Sequence, residues 1–122
     1  MASFGYTHLA FAFAGISSDG LMEPYNGSGE FYSMYDSFNS IKDSYPSLKT
    51  LIAVGGWTFD QSRFVYVSST ADTRSTFASS VVDFLEATNF DGIDLDWVSL
   101  SRDVVHCCAN ARFLLTHLEP FN

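Results

Sequence analysis

The chain has 122 residues, room for one small domain. Fourteen acidic against six basic side chains give a formal net charge of −8, which argues against nucleic acid or an anionic membrane as partner, since both are met by basic patches. No run of residues is long and apolar enough to span a membrane. The apolar content, with twelve Phe and six Tyr, is that of a globular chain, and the charge is compatible with a neutral polymer as partner.

In chain order, Tyr6 to Ala14 reads as a strand that is apolar on both faces, the pattern of a parallel strand covered by helices. Phe11 is expected in the core, and His8, alone in that strand, reads as a structural residue rather than a ligand. Ser17 to Gly29 is a loop rich in Ser, Gly, Asn and Pro. Within it Asn26-Gly27-Ser28 is a glycosylation acceptor pattern, which matters only if the chain is exported. Glu30 to Tyr45 is a helix, with Phe31, Met34, Tyr35, Phe38, Ile41 and Tyr45 at helical spacing, and Pro46 stops it. This aromatic stripe is expected to be core. Leu48 to Val54 is a second strand that runs into Gly55-Gly56-Trp57, where two glycines allow a close approach to the backbone. Thr58 to Ser69 reads as a polar loop. Asp72 to Thr88 is a second helix with Phe77, Val81, Phe84 and Leu85 on one face, and Asn89 follows as its C-cap.

Phe90 to Val98 is the third strand. Ile93, Leu95 and Trp97 alternate with Asp94 and Asp96, so the two carboxylates and position 98 share one face. Like charges that close, if both are buried, leave one of the pair protonated near neutral pH. The order strand, helix, strand, helix, strand implies right-handed βαβ units and a parallel sheet. Phe13, Trp57 and Asp96 all fall at the C-terminal ends of strands.

Three motifs carry a family resemblance: Thr7-His8-Leu9-Ala10-Phe11-Ala12-Phe13, Gly55-Gly56-Trp57 and Asp91-Gly92-Ile93-Asp94-Leu95-Asp96-Trp97. Their order and intervals resemble the glycoside hydrolase family 18 chitinases, over about Tyr6 to Trp97. The resemblance implies a TIM (β/α)8 barrel. That fold needs at least ~200 residues, so an α/β chain of this length is expected to hold a partial barrel, roughly strands 2–4 of the family fold. Residues 1–97 would be the partial catalytic domain, truncated on both sides, and 98–122 a divergent tail.

The resemblance further implies hydrolysis of β-1,4-linked N-acetylglucosamine polymers by substrate-assisted catalysis, an exception to the usual two-carboxylate glycosidase scheme. Asp96 would hold the acetamido group of the sugar and Asp94 would tune its charge. Phe13, Gly56 and Trp57 would contact the sugar. The family's general acid is a glutamate two residues after Asp96, and here that position is Val98. The chain is therefore expected to be inactive in hydrolysis as it stands, with a chitin-binding, non-hydrolytic lectin as the alternative. The implied partners are chitin or N-acetylglucosamine oligomers, with no cofactor. The family is commonly extracellular, whereas Met1-Ala2-Ser3-Phe4 lacks the basic start and long apolar stretch of a signal peptide.

Past Trp97 the family's Glu-Tyr-Pro continuation is missing. Ala109 to Leu118 has the apolar spacing of a short helix. His106, Cys107, Cys108 and His117 are metal-ligand types, but their spacing matches no common zinc pattern. Adjacent cysteines close a disulfide only in a strained ring.

Overall fold

The computed structural model describes residues 5–98. Four strands, β1 (His8–Ile16), β2 (Met22–Pro24), β3 (Lys49–Gly55) and β4 (Gly92–Asp96), form one sheet in the order β2-β1-β3-β4. β1, β3 and β4 are parallel, and β2 runs antiparallel to the end of β1. Four helices are interspersed: α1 (Phe31–Asn39), α2 (Ile41–Ser44), α3 (Ser62–Ser68) and α4 (Ala71–Thr88). The parallel strands joined by helices constitute part of an α/β barrel.

Strand alternation sorts the two faces of the sheet. Phe11, Ile52 and Ile93 are register partners and belong to the apolar cluster, Ile52 fully buried and the other two packed against it. Ala12, Ala53 and Asp94 are also partners, on the opposite face, where Ala12 and Asp94 are exposed. In a closed barrel residues alternate between an inner and an outer face. Here only the helix-facing side is sealed by side chains of the described residues.

The aromatic stripe of the first helix makes that seal. Tyr35 is fully buried, with Phe11 edge-on to it at 5.2 Å and Phe84 and Phe90 at 5.9 and 5.6 Å. Its hydroxyl donates to the Phe13 carbonyl at 3.0 Å and accepts from the Tyr25 N–H at 3.4 Å, which satisfies the buried phenol. Burial pushes the Tyr35 hydroxyl above its ordinary pKa. Fully burying a residue such as Ile52 or Val54 contributes about 1.5–3 kcal/mol, so the face shared by β3, α1 and α4 dominates the cohesion of the sheet.

α4 starts at a capping box in which Thr70 and Thr73 exchange side-chain and backbone hydrogen bonds. It ends at Asn89, whose φ of 58° is the left-handed C-cap expected from the sequence. Lys42 of α2 donates to the Asn89 carbonyl, and the Asn39 amide donates to the Thr88 carbonyl at 2.7 Å. The end of one helix is thereby fixed to the end of the other.

Three expectations need correction. The loop Ser17–Gly29 contains β2, because Met22 is buried, pairs with Ile16 and donates its N–H to the Ser80 hydroxyl at 3.0 Å; three residues are too few to show a period. The loop Thr58–Ser69 contains α3. Phe64 and Val67 are buried one turn apart, and the Asp60 carboxylate accepts from the Ser62 N–H and hydroxyl to start it. The helix Glu30–Tyr45 is two helices, broken at Ser40, where the serine hydroxyl donates to the Ser37 carbonyl at 2.8 Å, a bond that competes with the helical ladder. The motif tail, including Ala109–Leu118, His106, Cys107, Cys108 and His117, lies outside the described residues.

Candidate active site

The sequence-predicted residues come together at the C-terminal ends of β1, β3 and β4, as functional residues do in barrels. Gly55 pairs with Asp96 across β3 and β4, and the Gly56 N–H donates to the Asp96 carbonyl at 3.0 Å. Both glycines have left-handed φ, 107° and 93°. Space requires glycine as well: a Cβ on Gly55 would lie 2.5 Å from the Asp96 carbonyl oxygen and 2.7 Å from the Phe64 ring. A Cβ on Gly56 would meet the Phe13 ring at 3.0 Å. The Phe13 ring therefore lies directly on the Gly56 backbone.

Phe13 leaves the strand alternation at an irregularity, where Ala12 pairs with Ala53 but Ala14 with Val54. The Ala12–Phe13 peptide is cis. The register irregularity separates it from Phe11, which is core as expected, edge-on to Tyr35 and Phe38 at 5.2 Å. Phe13 is half-buried, with the Tyr25 ring tilted against it at 6.4 Å. Trp57 is 85 % exposed, so the expected flat face stands open to solvent. The loop carrying it is braced by Gln61, whose side-chain amide donates to the Gly56 and Phe59 carbonyls, both at 3.0 Å.

On β4, Ile93, Leu95 and Trp97 pack toward the core, and Trp97 stacks on Phe64 at 5.2 Å with 14° between the planes. Asp94 and Asp96 take the other face. The condition set for a shared proton, burial of both carboxylates, is not met. Asp94 is exposed and Asp96 half-buried. Val98 follows, 37 % exposed. Its side chain is a hydrocarbon with no titratable group.

Asp91, whose bonding no sequence pattern marks, is the most heavily bonded carboxylate of the described residues. It accepts from the Thr50 N–H at 2.9 Å and hydroxyl at 3.3 Å, and pairs with Lys42 and Lys49 at 3.2 Å each. Burial pushes its carboxyl up, but the Thr50 N–H and the two ammonium groups outweigh that and hold it at about 2. It sits at the start of β4 and clamps it to β3 and α2. Its partners are 41 to 49 residues away, so no local pattern marks it. Tyr25 was likewise lost in a loop without periodicity. His8 is exposed and bonded to the Thr7 hydroxyl at 2.9 Å, away from this cluster.

A family model described as glycosyl hydrolases family 18 matches residues 1–115. The chain belongs to this family. Chitotriosidase-1 of Mus musculus is 45 % identical over 91 residues, 75 % of this chain and 19 % of that protein. An immunomodulatory active chitinase of Trichuris suis superposes with a TM-score of 0.80 at 28 % identity, over 90 % of this chain and 30 % of that one. A human pseudo-chitinase described as retaining chitooligosaccharide binding superposes with a TM-score of 0.75 at 27 % identity, over 92 % of this chain and 29 % of that one. The chain thus spans under a third of each of these relatives. The family match includes the glycine turn, the β4 carboxylates and residues beyond Trp97. No helix among the described residues is long and apolar enough to cross a membrane.

Proposed function

We propose that this chain is a portion of a family 18 chitinase domain that faces N-acetylglucosamine polymers without hydrolysing them. One observation carries the reading: β4 presents Asp94 and Asp96 at the strand end, and two residues past Asp96, where the family carries its acid, the chain has Val98. In substrate-assisted hydrolysis the N-acetyl group of the sugar attacks its own anomeric carbon. Asp96 holds that acetamido group and stabilises the positive ring that forms, and Asp94 adjusts the charge beside it. Phe13 and Trp57 supply apolar faces for sugar rings, and the Gly55-Gly56 turn lets the chain pass close to the backbone. The leaving oxygen still needs a proton. Val98 has none to give, and a positioned general acid contributes typically 10²- to 10⁴-fold. Asp91 cannot substitute, since it lies at the opposite end of β4 and is already engaged by two lysines.

The family's setting, an extracellular polymer, is the setting proposed for this chain, with chitin or N-acetylglucosamine oligomers as partners and no cofactor. The test is release of a fluorogenic group from a chitobiose glycoside over a range of protein concentrations. No rate above buffer is expected. A rate proportional to protein concentration overturns the reading.

A further inference from the structure

We propose that Asn26 is an N-glycosylation site, an inference that rests on the proposed extracellular setting. Asn26-Gly27-Ser28 is the only Asn-x-Ser/Thr triplet in the 122 residues. The fold places it where a glycan can be carried. The triplet begins in the 3-10 turn Tyr25–Gly27, and Asn26 and Gly27 turn the chain with successive left-handed φ values of 54° and 66°. Asn26 and Gly27 are both exposed, and Ser28 is half-buried in extended backbone.

The other asparagines of the described residues are used by the fold. Asn39 is buried and donates to the Thr88 carbonyl, and Asn89 closes α4 in the left-handed conformation. The Asn26 amide makes no hydrogen bond among the described residues. A large polar group attached there displaces no packing, as befits a surface modification. The turn keeps its shape through its backbone, the Ser28 N–H donating to the Tyr25 carbonyl at 3.2 Å and the Phe31 N–H to the Ser28 carbonyl at 3.3 Å. Neither bond uses the acceptor amide.

The donor is an oligosaccharide linked to a lipid pyrophosphate. The Asn26 Nδ2 forms a bond to the anomeric carbon of the first sugar, and the bond from that carbon to the pyrophosphate oxygen breaks. The lipid pyrophosphate leaves with the electron pair, and the amide nitrogen gives up one proton to a base of the transferase. Tyr25, next to Asn26, packs on Phe13, so the glycan would stand at the flank of the strand-end site.

The experiment expresses the full chain behind a supplied secretory leader in a glycosylating eukaryotic host. Because the leader is supplied, occupancy is read independently of the chain's own route of export. The secreted chain is expected to migrate as a heavier band that collapses on treatment with a peptide N-glycosidase. In heavy-oxygen water the released peptide should carry a labelled aspartate at position 26 that is absent after the same incubation without enzyme, which distinguishes glycan release from spontaneous deamidation at Asn26-Gly27. Asn26→Gln and Ser28→Ala should each abolish the shift, and Ser28→Thr should keep it. A secreted parent chain with no enzyme-sensitive shift, or a shift that persists in both Asn26→Gln and Ser28→Ala, overturns the proposal.

Discussion

The Gly56 N–H donates to the Asp96 carbonyl at 3.0 Å, so the glycine turn and the carboxylate strand are one unit. The turn can close only because neither Gly55 nor Gly56 carries a Cβ. Gly55→Ala should destabilise the chain by about 2–5 kcal/mol, combining left-handed strain with overpacking against Asp96 and Phe64. Gly29→Ala, where a Cβ would meet nothing within 4 Å, should stay within about 0.5 kcal/mol. Urea denaturation midpoints of the two variants measure the contrast directly.

Asp91 should make stability depend on pH in a defined window. Its folded pKa of about 2 lies below the ordinary 3.8. The stabilisation is therefore fully present above about pH 4 and is lost as pH falls toward 2. Allowing for solvent screening, Asp91→Asn should cost about 1–2 kcal/mol at neutral pH. Melting temperatures of parent and variant should differ at pH 7 and converge near pH 2. A constant gap across that range would refute the assignment.

Thr70→Ala removes the side-chain half of the α4 capping box. The expected loss is about 1 kcal/mol, seen as an earlier thermal transition with the strand-end cluster unchanged.

Trp57 separates binding from folding. At 85 % exposure its replacement by Ala should change stability by no more than about 0.5 kcal/mol, while affinity for chitotetraose should fall about tenfold, equivalent to about 1.4 kcal/mol. Retention on chitin beads beside a thermal melt checks both halves. Unchanged retention would remove Trp57 from the site.

Much of this arrangement is legible in the residues. The period-two pattern of Ile93, Leu95 and Trp97 sorts β4 correctly, because one face is packed and the other is not. The 3.6-residue spacing of Phe77, Val81 and Phe84 gives α4, and the left-handed tolerance of Asn89 gives its end. Position-by-position periodicity does not reach elements as short as β2 and α3, which exist through tertiary contacts such as Met22 with Ser80. Nor does it reveal Asp91, whose partners come from α2 and β3. Whether the carboxylate pair is buried is not legible in the strand's apolar flanks, because Ile93, Leu95 and Trp97 pack on the other side of the sheet.

Phe13, Gly56, Trp57, Asp94 and Asp96 are proposed to form one oligosaccharide-facing surface. The most direct test is a proton–nitrogen correlation spectrum of labelled chain titrated with triacetylchitotriose. Saturable shifts should appear at the Gly56, Asp94 and Asp96 amides and the Trp57 indole, and leave the Asp91 and Lys42 amides unmoved. A spectrum that does not change at saturating sugar, or shifts confined to residues outside this strand-end cluster, would contradict it.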